Sequence, residues 1–148
     1  MIVGDMPSRR GMGRPHNAAM VRDRGSSETA AATRAAVRDH IDAFNAHDAD
    51  RLIAGLHPDV VWATGSDVFR GAAQLREVLF DDLLWAMRPS LAARTLLIDG
   101  EAAAGMFHEV LTVDEEARAF DIAIFFTVSG GVIRSVKVFR EGSANIES

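Results

Sequence analysis

Three residue types carry the chemistry available to this chain. Among 148 residues there are five histidines, one lysine and no cysteine. Asp121 and Lys137 stand inside two apolar, β-branched and aromatic runs, Phe120–Val128 and Val132–Phe139, separated by Ser129-Gly130-Gly131. A charge in such a run sits either at a strand edge in water or against a cavity that needs it. In a dry pocket an aspartate resists ionising unless paired. It then donates a hydrogen bond to a developing oxyanion, or it orients a histidine. Its structural alternative is an ion pair with Arg118 or Arg140. Lys137 is a Schiff-base amine, an anion clamp or an ion-pair partner in one reading, and a side chain snorkelling to the rim in the other. His40 falls with Val37, Ile41 and Phe44 on one helical stripe, and an imidazole titrating at about 6.5 suits acid–base work near neutrality. His108 lies in a segment that is apolar on both faces, so its direction depends on strand register. The alternative for either histidine is a hydrogen-bonded structural role.

Other chemistries lack their signatures. The histidines show neither HxH nor HExxH spacing, so no metal site is expected. Gly11-Met12-Gly13 precedes no strand–helix unit and is no phosphate loop, and no GxSxG elbow occurs.

The elements that position these residues follow in order. Residues 1–26 read as a flexible leader. Residues 1–27 hold five arginines against two aspartates, a balance of +3 within a net charge of −5. The basic arm raises nucleic acid as a partner, but the acidic remainder makes it unlikely. Residues 27–148 are expected to form one domain. A first helix starts near Ser26 and Ser27, and Asn45-Ala46-His47-Asp48 breaks it. A short helix follows, capped by Asp48 or Asp50. His57-Pro58-Asp59 turns into a strand, Val60–Ala63. Thr64–Asp67 reads as a loop. A third helix, Ala72 to Met87, ends before Pro89. Four strands complete the chain: Leu91–Ile98, Ala102–Val113, Arg118–Val128 and Val132–Arg140. Helices early and strands late predict an α+β fold, a cone-shaped curved antiparallel sheet packed against three N-terminal helices. No segment has the length of a membrane span or the layout of a signal peptide, and without cysteine a cytoplasmic setting is the expectation.

Phe44-Asn45-Ala46-His47-Asp48-Ala49-Asp50, His57-Pro58-Asp59-Val60-Val61-Trp62, Phe69-Arg70-Gly71 and Gly131-Val132-Ile133 resemble the NTF2-like superfamily, in its SnoaL-like and ketosteroid-isomerase-like branch. The resemblance spans about Glu28 to Ile146. It implies a pocket for a small hydrophobic ligand or substrate, chemistry without a cofactor, and a homodimer. In the isomerases of that branch a helix-one tyrosine and an aspartic acid near the start of the penultimate strand form the oxyanion hole. By position these become His40 and Asp121. The same comparison turns His108, Met106, Lys137 and Phe139 inward and leaves Val132, Val136 and Val138 for an outer, dimer-forming face. Trp62, Phe80, Trp85, Phe125 and Phe139 would wall the pocket. The branch's first-strand base has no counterpart, since that region reads Trp62-Ala63-Thr64. Two functions are expected from the resemblance: an isomerase, cyclase, dehydratase or epoxide-hydrolase type enzyme of secondary metabolism, with His40, Asp121 and His108 catalytic, or a non-catalytic binding module.

Overall fold

The structure, a computed structural model, describes residues 16–140, with side chains from residue 27 onward except residues 82 and 83. Most of the arginine leader and the polar tail therefore lie outside the described residues. Helix α1 spans His16–Asn45, so its backbone begins well before the expected start at Ser27. A lone Gly25 weakens a helix without stopping it. Helix α2 (Ala49–Ala54) is capped by Asp48, whose side chain accepts from the Arg51 amide.

Strand β1 (Leu56–Thr64) pairs with a short β2 (Asp67–Arg70), where the sequence predicts only a loop leading into a helix. Helix α3 (Ala72–Gln74) continues as a π-helical segment, Leu75–Leu84, and closes with a 3-10 turn, Trp85–Met87. The expected ends are right but the winding differs. In a π-helix hydrogen bonds run to the fifth residue, which widens the turn. Leu75, Leu79, Phe80 and Leu84 of this segment are all buried.

Strands β3 (Ser90–Asp99), β4 (Ala102–Val113), β5 (Glu116–Ser129) and β6 (Val132–Arg140) follow as a meander. The sheet order is β2-β1-β6-β5-β4-β3. The sheet is mixed rather than wholly antiparallel as expected, because β1 runs parallel to β6. Helix α3 and the meander lie between those two strands in sequence and supply the long crossover that parallel pairing needs. Register shifts near Arg94 in β3 and Arg134 in β6 bend the sheet around the helices.

The core fills the concave side. Ile122, Ile124, Phe126 and Val128 of β5 and Ile133, Val136 and Val138 of β6 are buried there with Phe107 of β4 and Val37, Ala43 and Phe44 of α1. Helix α1 is pinned at two places, to the turn after β3 and to the start of β3. Thr33 Oγ1 donates to the Gly100 carbonyl at 2.6 Å, and the Asn45 amide exchanges two hydrogen bonds with the Leu91 backbone at 2.7 and 2.8 Å. No helix among the described residues is long and apolar enough to cross a membrane.

Candidate active site

An apolar chamber of about 40 Å³ lies between the concave face and the helices. Two charged side chains reach it. Glu109 of β4 is 2% exposed, and both its oxygens are taken by the guanidinium of Arg140 at the end of β6. Arg140 Nη2 donates to Oε2 at 3.0 Å, and Nη1 donates to Oε1. Arg140 Nε points at Thr64 Oγ1, 3.4 Å away at the end of β1. A bidentate pair of this kind satisfies a buried carboxylate that would otherwise be costly to desolvate. Arg140 is the more open partner, its side chain 36% exposed against 3% for Glu109.

Arg140, Thr64, Leu79 and Leu84 also line a wider, open vestibule of about 460 Å³ that includes Phe69, Met87, Leu111 and Phe120. Chamber and vestibule therefore meet at the Arg140–Glu109 pair. Leu79 and Leu84 of the π-helical segment belong, with Thr64 and Arg140, to the wall common to both.

His40 closes the inner end. It is buried between Trp62, at a ring separation of 5.5 Å, and Phe126, at 5.7 Å. Burial pushes its pKa down from 6.5 to about 4, against a smaller opposing pull from Asp39. His40 is thus a neutral imidazole at physiological pH, and its Nδ1 has no protein partner. It is a hydrogen-bonding group for whatever fills the chamber, not a cation.

The remaining expected site residues are distributed differently from the sequence reading. Trp62 lines the chamber as expected. Phe80 packs edge-on behind Trp62 at 5.9 Å, and Trp85 behind Phe80 at 5.2 Å, so both support the wall without lining it. Asp121, His108, Met106, Phe125, Lys137 and Phe139 do share one face, but it is the outer face of the sheet. The pairings show this: His108 opposite Asp121, Met106 and Phe139 flanking Ala123, and Phe125 opposite Lys137. Met106, Phe125 and Phe139 are 48%, 53% and 38% exposed. Conversely, Val136 and Val138, expected on the outside, are in the core. The inversion has a simple cause. Strands β4 to β6 are apolar on both faces, and a one-residue change of parity moves a whole set of side chains across the sheet.

Asp121 and His108 are still partners. His108 Nδ1 and Asp121 Oδ1 are 3.0 Å apart, and Arg94 stands 3.8 Å from the same carboxylate oxygen. This cluster lies on the opposite side of the sheet from His40, so the expected His40–Asp121 pair does not form. Lys137 places its ammonium 4.9 Å from the Phe139 ring centroid, a cation–π contact on the surface.

Glu109 and Arg140 were missed, each by one position, since they adjoin the expected His108 and Phe139. One signal pointed to them. Glu109 is the only carboxylate between Ala102 and Val113, in the middle of the longest apolar strand before the hairpin. Among the described residues no three His, Asp or Glu side chains converge as a metal site.

With this geometry in place the family is clear. The SnoaL-like domain matches residues 37–136, and the chain belongs to that family. No curated protein matches the sequence. Solved structures share the NTF2-like architecture. TerC, co-crystallised with polyporic acid, has a TM-score of 0.68 at 18% identity, over 74% of this chain and 92% of TerC. An LEH-like epoxide hydrolase of M. tuberculosis has a TM-score of 0.67 at 20% identity, over 78% of this chain and 84% of its own. SalBIII, an epoxide hydrolase/cyclase-like enzyme in pyran ring formation in polyether salinomycin, has a TM-score of 0.67 at 20% identity, over 74% and 91% respectively. At these identities the likeness is one of fold.

Proposed function

We propose that the chain is an acid–base enzyme that moves a proton on a small hydrophobic molecule, by isomerisation, cyclisation, dehydration or epoxide opening. The observation that carries this reading is the Glu109 carboxylate facing an apolar chamber while one guanidinium holds both its oxygens. A carboxylate has about four lone-pair sites, so two remain free to take a proton. Arg140 fixes the direction of that carboxylate. Its remaining N–H groups adjoin the vestibule, where an oxygen gaining negative charge would be stabilised. His40 offers an uncharged donor or acceptor at the far end. Glu109 supplies from β4 the carboxylate that the Trp62-Ala63-Thr64 stretch lacks. The pyran ring formation named for SalBIII supports a substrate of polyketide or other secondary-metabolite type, and the epoxide hydrolase named for M. tuberculosis supports epoxide opening among the reactions.

The test is solvent deuterium uptake into a panel of hydrophobic ketones and epoxides, followed by NMR. The wild-type protein is expected to accelerate uptake or ring opening of at least one compound, and Glu109→Gln to slow it about 100-fold or more. Equal rates for both proteins would overturn the assignment.

One observation favours a second reading, a non-catalytic ligand-binding module: Arg140 already occupies both Glu109 oxygens, and the chamber is small. Calorimetric binding of a hydrophobic compound with no turnover of any panel member would select it. In either case we propose a homodimer through the outer face. Leu97, Ala104, Phe125 and Lys137 form one row across β3 to β6, and Thr95, Met106, Ala123 and Phe139 the next. Large apolar side chains in adjoining rows make a contiguous exposed patch of the kind that marks an interface.

A further inference from the structure

A second concavity lies outside the cone, between α1 and β3. Helix α1 is tied to the turn after β3 by Thr33 at one end and to the start of β3 by Asn45 at the other. Between these two ties the helix and the strand stand apart. The strand bulges there, its register shifting between Ala93 and Thr95. The gap is a half-open groove of about 590 Å³, within the range of small-molecule sites.

Its lining is divided. The half-buried Ile41 and Leu96 form an apolar floor, with the fully buried Val37 and Phe107 packed beneath them. The Phe107 ring reaches its place because position 105 is glycine: a Cβ there would stand 2.6 Å from the ring and 2.8 Å from the Thr95 carbonyl. The rim carries Arg34 and Arg38 beside one acid, Asp42, while Arg94 on the facing strand stands 3.8 Å from Asp121. Arg34 and Arg38 are one turn apart on the same helix, an arrangement in which like charges repel. Neither makes an ion pair with any described residue, and Arg38 does not pair with Asp42 although the spacing would allow it. A cationic rim over an apolar floor stands out on a chain of net charge −5.

We infer that this groove is a binding site for a small amphipathic anion, with its hydrocarbon part on Ile41 and Leu96 and its acidic head between Arg34 and Arg38. The inference is independent of the chemistry proposed for Glu109, because the two cavities have no lining residue in common. A carboxylate head fits the paired guanidinium groups, which bind planar oxyanions in bidentate fashion. Asp42 at the next turn sets the direction by repelling the head from that end.

The experiment uses decanoate as probe and decanol as its uncharged control, titrated calorimetrically into the full chain. Methyl NMR of Ile41 and Leu96, against Ile124 and Leu84 of the inner chamber, locates the ligand. Decanoate is expected to shift the Ile41 and Leu96 methyls and to bind about tenfold more tightly than decanol, and added salt should weaken it. Arg34→Ala with Arg38→Ala should lower its affinity about tenfold while the melting temperature stays near that of the wild type. Leu96→Glu should abolish binding by a different route, closing the floor with a charge. Equal affinity for decanol, shifts confined to Ile124 and Leu84, or full affinity in the double arginine variant would each overturn the inference.

Discussion

Glu109 and His40 meet the same difficulty, a polar group in an apolar chamber, and resolve it in opposite ways. Glu109 takes a partner, whereas His40 gives up its charge. The folded pKa of His40 lies below its unfolded value, so on acidification the unfolded chain binds the proton first. Its stabilising contribution is complete above pH 6.5 and is lost as the pH falls towards about 4. The whole effect is roughly 3 kcal/mol. His40→Leu should flatten the pH dependence of the denaturation midpoint across that window, and an unchanged slope would mean that His40 is not the group responsible. For Glu109 the prediction concerns pairing. Arg140→Met strands a buried carboxylate and should cost about 2–3 kcal/mol, less than for a wholly buried pair because Arg140 opens to the vestibule. Adding Glu109→Gln to Arg140→Met should recover most of that loss in urea denaturation. If the two losses simply add, the pair contributes no coupling.

At the level of elements, most boundaries were legible in the sequence. Gly130 and Gly131, at φ of 58° and 77°, make the hairpin turn that their types announced. The break at His47 and the end of the third helix at Met87 were equally plain. Two things were not. The β1–β6 pairing joins segments about 75 residues apart, and nothing local records it. Strand facing was harder to read: β5 offers Phe120, Ile122, Ile124 and Phe126 on one face and Asp121, Ala123 and Phe125 on the other, so large apolar side chains stand on both. Only packing against α1 selected the isoleucine face. That single ambiguity moved Asp121, His108 and Lys137 from the pocket to the surface and concealed Glu109 and Arg140. The element geometry makes its own predictions. Gly105→Ala should destabilise the chain by about 1–3 kcal/mol, read as a lowered melting temperature, because neither the Phe107 ring nor the Thr95 carbonyl has room for the added methyl. Phe125→Glu should convert a dimer to a monomer in light scattering, and a wild-type protein that is monomeric at the same concentration would remove the outer-face interface.

The whole molecule separates its two faces by role. The concave side holds a carboxylate, a guanidinium and a neutral imidazole around an apolar space. The convex side holds an Asp–His–Arg cluster among exposed apolar rows. A carboxylate near an imidazole looks more catalytic on paper, yet Asp121 and His108 lie on the sheet's open surface. What sets Glu109 apart is exclusion from water, which strengthens every electrostatic interaction within the site. The two carboxylates sit on adjacent strands, on opposite faces of one sheet, and a single comparison distinguishes them. Deuterium uptake into a hydrophobic substrate should be measured for the wild type, Glu109→Gln and Asp121→Asn under identical conditions. The inner-site account predicts that Glu109→Gln loses about 100-fold or more while Asp121→Asn stays near the wild type. A large loss in Asp121→Asn with activity kept in Glu109→Gln would contradict it.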